Sequence, residues 1–537
     1  MKFILLLIYI SVLSASELES VGYDWCDHFG YVNRNGSLMW NRDWYSGSYF
    51  FDGTWSNNPG LMGPEIKDGF FYQSIDTIQY DSSIVKSYFD YTQGDYLQDE
   101  FSAVLNYIGN DSKIGINGFK RSFAGRFNQY TPPNRFPEPI HQTYTLQYKF
   151  KKDLEEIDVA VGHFNTYSGL PDTMGKSLYN SRITTNNITW KKSFRSYSAE
   201  IIGNNFLQRM ISNYRYPDSL SNFFESYKNL RYLTRSQYSG VLKWKKSENL
   251  DLFSSIVLHS RSVRMDALRN EHWQQLLIGI KANNFYLSGG LVNTLLERKP
   301  LINISFFFNS NDFFTKLYFE RQPLPIHPFF KSPGLLTSNS LIGITGKINK
   351  EHWILSVTAN HVNYVSNLAI DKTEDIYPNN ESNLSFSSEL DILLIDSFHL
   401  MFGFIGQQGK SLISDGVKRK LKLAGRWDFK IFKGIMNLET DLELNGWFGR
   451  EQAGFILPVE AVPASLNYNS LSENIWFINA SIRAVVSSFT ISYTWNNLSE
   501  IILNASGSKR ENSIKIHPLM PVLGHQSSMT VTWKFLD

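Results

Sequence analysis

Between residues 418 and 448 ionisable side chains fall at alternate positions. Lys420, Lys422, Arg426, Asp428 and Lys430 share one parity, and beyond Lys433-Gly434 so do Glu439, Asp441 and Glu443. The positions between them are Leu421, Leu423, Trp427, Phe429 and Ile431, then Met436, Leu438, Leu442 and Leu444. Bases on one segment facing acids on the next can form ion pairs that fix register, Arg426 with Asp441 for example. The same groups can line a water-filled path and bias which solutes move along it. Mixed signs argue against a strong anion or cation filter.

Other chemistry is thinly represented. The stiff stretch Pro323-Leu324-Pro325-Ile326-His327-Pro328-Phe329-Phe330 supplies His327, Phe329 and Phe330 as candidates for a constriction loop, or forms an ordinary outer loop. His327 alone does not make a metal site. No HExxH, Cys/His ligand cluster, GxSxG elbow, phosphate loop or GxGxxG after a strand occurs. No catalytic residue, metal or cofactor is expected, and the chain is not expected to be an enzyme.

The elements that must carry these charges follow from the period of two, which is that of a strand. Each ribbon is about 12 residues, near the 9–11 that a tilted strand needs to cross a bilayer. Lys433-Gly434 gives the tight link of a hairpin. Tyr144, Leu146, Tyr148 and Phe150 alternate in the same way with Thr145, Gln147 and Lys149. So do Trp353, Leu355, Val357 and Ala359 with Ser356, Thr358 and Asn360. From Ser82 onward short turns, such as Asn110-Asp111, Asn283-Asn284 and Ser487-Ser488, mostly alternate with long Pro/Gly/Asn-rich links, among them 168–182, 208–230, 323–338, 366–381 and 449–472. That rhythm is the one of outer-membrane barrels. It predicts an all-β fold, a transmembrane antiparallel up-and-down β-barrel of about 22 strands (about 20 to 24). Arg or Lys at the bilayer midplane of a barrel costs about 2–4 kcal/mol, so the charged parity is expected inside and the apolar parity toward lipid. Trp190, Trp244 and Trp353 beside turn lysines or asparagines suit an interfacial girdle.

The chain has 537 residues, with Lys+Arg 52 against Asp+Glu 50, so nothing points to nucleic acid. Residues 1–16 read as a signal peptide: Lys2, an apolar run, then Ser14-Ala15-Ser16. Cys26 is the only cysteine, which rules out an intrachain disulfide. Beyond the signal no apolar run is long enough for a transmembrane helix. Residues 17–68, rich in Trp, Gly and Asn, read as an irregular periplasmic leader or a small plug, and 69–537 as the barrel.

The final strand alternates Met529, Val531, Trp533 and Phe535 with Thr530, Thr532 and Lys534. It is similar to the C-terminal signal read by the barrel-assembly machinery, with Val531, Trp533 and Phe535 as its apolar positions, although Leu536 and Asp537 follow. The approach Pro521-Val522-Leu523-Gly524 resembles that of the last strand in TonB-dependent receptors and in the porin-like barrels of Bacteroidetes-like bacteria. Asn58-Pro59-Gly60-Leu61-Met62-Gly63-Pro64 and 87–94 resemble the opening of those porin-like chains. The resemblance implies a Gram-negative outer-membrane barrel without a large plug. Its expected partners are outer-membrane lipid, the barrel-assembly machinery and small solutes, with oligomeric state left open. The function expected is a porin-like channel for passage or uptake of small solutes through a polar lumen. The alternatives are a non-channel barrel for binding or adhesion, and a secreted soluble β-rich carbohydrate binder.

Overall fold

The computed structural model describes residues 19–22, 30–34, 37–40, 84–128, 131, 140–169, 178–213, 228–264, 268–323, 335–336, 339–370, 376–408, 418–449, 454–456, 463–465, 474–505 and 524–536. His327, Phe329 and Phe330 lie outside the described residues, as do the signal segment 1–16 and most of 17–83. Three short strands come first: β1 (Glu19–Gly22), β2 (Gly30–Arg34) and β3 (Ser37–Trp40) form one antiparallel sheet. Then follow β4 (Ile84–Gly94), β5 (Gln98–Ile108), β6 (Ser112–Ser122), β7 (Ile140–Lys152), β8 (Glu155–Gly169), β9 (Leu178–Phe194), β10 (Tyr197–Asn213) and β11 (Lys228–Ser247). Next are β12 (Leu250–Arg264), β13 (Leu268–Ala282), β14 (Phe285–Asn293), β15 (Arg298–Asn309), β16 (Phe313–Gln322), β17 (Asn339–Lys350), β18 (Trp353–Ile370) and β19 (Ile376–Ile395). The rest are β20 (Phe398–Gln408), β21 (Arg419–Ile431), β22 (Met436–Phe448), β23 (Gly454–Ile456), β24 (Pro463–Ser465), β25 (Ile475–Val486), β26 (Phe489–Asn496) and β27 (Gln526–Leu536), with a helix α1 (Leu498–Ala505) before β27.

All strands from β4 onward except the separate β23–β24 ribbon join in chain order into one closed antiparallel barrel, sealed by β27 against β4. That is 22 strands, the number expected from the turn rhythm. At the seam Thr92 and Thr530 stand opposite each other and their hydroxyls hydrogen-bond at 2.7 Å. Closure leaves no open edge, so every strand can satisfy its backbone within the sheet, as hydrocarbon demands.

The two faces differ in kind. Ile201, Leu242, Ile278, Leu423 and Leu442 are exposed. Asp158, Asn187, Asn204, Gln237, Arg261 and Glu271, on the opposite parity, are buried. Side chains on the convex side of a cylinder splay apart, whereas those on the concave side crowd together. The exposed apolar set is therefore the outer face and the polar set the lumen wall. An apolar outer surface of this extent is stable only against acyl chains. At the short-turn end the outer face is aromatic: Phe398 stacks on Trp427 at 4.2 Å, Tyr197 on Trp244 at 5.9 Å and Trp533 on Phe535 at 4.8 Å. Trp190 Nε1 donates to Glu155 Oε1 at 2.7 Å, which places its N–H at the wet edge.

At that end the links are as tight as expected, and one unforeseen turn at Arg195-Ser196 joins β9 to β10. Positive φ at Asp153, Arg195, Phe432, Lys433 and Ser487 lets the chain reverse in so few residues. The loop end differs from expectation. Strands β9, β11, β18 and β19 run 17, 20, 18 and 20 residues; of the segments read as long loops at 168–182, 208–230 and 366–381, strands take 168–169 with 178–182, 208–213 with 228–230, and 366–370 with 376–381. Outside the bilayer both faces are wet, so polar residues fill both parities and the period of two vanishes while the backbone ladder continues. The opposite happens at β14–β15. Thr294 caps a four-residue link, its hydroxyl accepting from Glu297 N at 2.9 Å, and Leu295 and Leu296 stand exposed at the tip. Because β14 pairs with β13 only over Gln274 to Lys281, the end of β13 rises above this hairpin. Gly290 is required there: a Cβ would lie 1.9 Å from Leu276 O.

Candidate functional site

The charged residues singled out in the sequence stand together on the inner wall of β21 and β22. Register places Arg426 opposite Asp441, and Arg426 Nε donates to Asp441 Oδ1 at 2.7 Å. One rung nearer the loop end Lys422 Nζ meets Glu443 Oε2 at 2.6 Å, while Asn445 Nδ2 donates to Glu443 Oε1 at 2.6 Å. Lys420 faces Trp447 across the ladder, its ammonium 5.5 Å from the ring centroid. Asp428 lies directly opposite Glu439, a like-charge pairing that is unfavourable alone. It is offset by Arg426 on the same strand and by Arg483 on β25, whose Nη1 donates to Glu439 Oε2 at 3.0 Å. Lys430 faces Asn437 near the turn. On the other flank His399 Nδ1 lies 3.1 Å from Asp391 Oδ1. The wall from β19 to β25 thus carries a ladder of ion pairs with their heads in water: the side chains of Lys422, Arg426 and Arg483 remain 50%, 48% and 47% exposed.

The opposite wall is built differently. On β12 and β13 Arg261 Nε and Nη2 both donate to Glu271 Oε2, at 3.0 and 2.5 Å, with side chains 0% and 3% exposed. His259 stacks on Trp273 at 4.6 Å and 7°, and the Arg261 guanidinium lies 5.3 Å from the same ring. Leu336, from the link between β16 and β17, packs against Trp273 and Val292. Its N–H donates to Glu297 Oε2 at 2.7 Å and its carbonyl accepts from Lys299 Nζ. Ser288, Ser305 and Lys316 continue this occluded face. The lumen is therefore lopsided, water-exposed along β19–β25 and closed over along β9–β16. Sequence reading missed this second set. Its trace was present in 254–264, where Ile256 and Leu258 alternate with His259 and Arg261, but the pairing with Glu271 and Trp273 emerges only once the register of β12 against β13 is set.

At the loop end the seam between the last and first strands is locked by polar contacts. Asp95 Oδ2 accepts from Ser527 N and Oγ at 2.7 and 2.8 Å, Gln526 Nε2 donates to Gln98 Oε1 at 2.8 Å, and Arg126 meets Glu500 of α1 at 2.8 Å. Tyr96 donates to His525 O, and its phenol is held above its ordinary pKa, first by burial, against the opposing pull of Arg126, with Glu500 and Asp95 adding to the rise. Val531, Trp533 and Phe535 lie on the outer face of β27, where Trp533 also meets Phe89 and Phe489 edge-on at 5.9 and 6.4 Å. Among the described residues no group of three or more His, Cys, Asp or Glu side chains could hold a metal ion.

No family model matches the sequence, and no curated protein matches it. Solved structures do share the fold. The FrpB iron transporter from Neisseria meningitidis (F3-3 variant) superposes with a TM-score of 0.63 at 8% identity over 85% of this chain and 82% of that one. BauA, the ferric preacinetobactin receptor from Acinetobacter baumannii, gives 0.59 at 9% over 98% and 93%. The ferripyoverdine receptor of the outer membrane of Pseudomonas aeruginosa gives 0.59 at 9% over 84% and 72%. At such identity the likeness is one of fold: this chain is built like the barrels of iron and siderophore receptors.

Proposed function

We propose that the protein is an outer-membrane barrel that passes small polar solutes through its lumen. The observation that carries this reading is the water-exposed ladder of Lys422–Glu443, Arg426–Asp441 and Arg483–Glu439 along one side of a closed 22-strand cylinder. Paired charges offer a polar track without a strong net field, which suits passage with weak ion preference. In this reading residues 1–16 are a cleaved signal, 17–68 a leader or plug, and Val531, Trp533 and Phe535 the assembly signal of a chain that meets lipid on its outer face. No catalytic role is proposed. Purified protein in planar bilayers is expected to give stepwise conductance; a folded barrel that leaves the bilayer sealed overturns the open-channel reading.

A second reading is gated uptake of a bound ligand, favoured by the occluded wall around Arg261 and Glu271. The fold likeness to proteins named as iron and siderophore receptors agrees with it. The two separate in one comparison. Gated uptake predicts a sealed full-length barrel that conducts once residues 17–68 are deleted, whereas passive passage predicts conductance in both.

A further inference from the structure

On the outer face of β9–β12 the ladder sets Arg182 directly opposite Arg209, Arg209 opposite Tyr232, and Tyr232 opposite Arg264. All three arginines are exposed. They share the parity of Ile188, Ile201, Tyr238 and Leu258, so they point away from the lumen. Adjacent strands are about 4.8 Å apart, so the three guanidinium groups arise within about 15 Å of one another. Each lies farther from the short-turn end of its strand than the roughly 9–11 residues that cross hydrocarbon. The row therefore stands at the level of the outer-leaflet headgroups. Like charges directly opposite each other weaken a sheet. Among the described outward residues of β8–β13 on the loop side of the apolar band no carboxylate offsets them. Below the row come Asn186, Asn205, Ser236 and Ser260, and at Ser260 opens a cavity of about 300 Å³ that reaches inward to His259 and Trp273. Tyr238, Leu258, His272 and Leu295 line it, beside the low β14–β15 hairpin.

We propose that this face binds a phosphorylated lipid of the outer leaflet: Arg182, Arg209 and Arg264 hold the phosphate, the amide and hydroxyl rows take the polar headgroup, and an acyl chain enters the cavity. Guanidinium forks suit phosphate oxygens, and the vertical order of cations, polar rows and a cavity whose walls include Tyr238, Leu258 and Leu295 is that of such a lipid. The inference rests on the membrane reading above. It commits to a lipid-borne phosphate, because free phosphate has no use for the cavity or for the continuity of this face with the apolar band.

The test reconstitutes full-length protein in phosphatidylcholine nanodiscs carrying a minor fraction of phosphatidic acid. Lipid that stays bound after transfer to detergent is then counted by native mass spectrometry. Phosphatidic acid is expected to be retained about tenfold over its share of the bilayer. The triple variant Arg182→Gln, Arg209→Gln, Arg264→Gln is expected to abolish the preference. The corresponding Lys triple retains part of it, and Arg195→Gln on the opposite rim leaves it unchanged. Heat-modifiable migration verifies that each variant is folded. Equal retention of the two lipids, an unaltered preference in the folded Gln triple, or displacement by inorganic phosphate as readily as by lipid overturns the proposal. Failure to insert into the nanodisc sinks the membrane reading itself, whereas insertion without lipid preference sinks only this inference.

Discussion

At the scale of single residues the two lumen walls make opposite predictions. The Arg426–Asp441 pair is half exposed, so breaking it costs little stability, within about 1 kcal/mol. Its effect falls on selectivity instead. Arg426→Gln leaves Asp441 uncompensated and is expected to move the reversal potential in a salt gradient toward cation preference, while Asp441→Asn moves it toward anions. The Arg261–Glu271 pair is buried, and Glu271→Ala removes the paired carboxylate from a buried guanidinium. That change is expected to cost about 3–5 kcal/mol, read as a lowered midpoint of chemical unfolding in micelles. Tyr96 makes a pH-dependent contribution. Its pKa is raised in the fold above an unfolded value near 10. The stabilisation is therefore complete below about pH 10 and is lost as pH rises through the folded value. Tyr96→Phe is expected to remove this alkaline slope and to lower stability at neutral pH by about 1 kcal/mol for the lost hydrogen bond.

At the scale of elements the tight links and the seam decide whether the barrel forms. Phe432, Lys433 and Gly434 all have positive φ, and Gly434 sits at 87° with open space around its Cα. A side chain there meets backbone strain alone, so Gly434→Val is expected to cost about 1–2 kcal/mol, and Lys433→Gly to be tolerated. The aromatic set of Phe89, Phe489, Trp533 and Phe535 bridges the closing strands. Trp533→Ala with Phe535→Ala is expected to lower the yield of heat-modifiable barrel in outer membranes without altering conductance of the molecules that assemble. The hairpin of β21 and β22 was fully legible from sequence, down to the Arg426–Asp441 contact, because one face is apolar throughout and one turn sets the register. The long strands β11 and β19 were legible only in their membrane-crossing halves. In their outer halves runs such as Asn379, Asn380, Glu381 and Ser382 look like loop because nothing there separates two environments.

At the scale of the molecule strand number and sidedness were readable because they depend on a rhythm repeated along the chain, which local errors do not destroy. The lopsided lumen was not readable. Whether an inward arginine is wet or covered depends on which residues the neighbouring strands and distant links bring over it, and no local pattern encodes that. The paired wall predicts a whole-molecule property: ion preference falls as salt rises, because the screening length shrinks from about 10 Å at 0.1 M to about 3 Å at 1 M. Reversal potentials at matched gradients across that range would check it. The depressed β14–β15 hairpin gives this cylinder a compass direction. Its collar is tall along β8–β13 and β18–β19 and low at β14–β15, where Leu295 and Leu296 form the sill and Leu336 the inner doorstop, and it is low again along β4–β6 and β25–β27. Something gliding along the membrane plane meets a lower rim there than along the tall ribbons beside it, so the way in has a threshold.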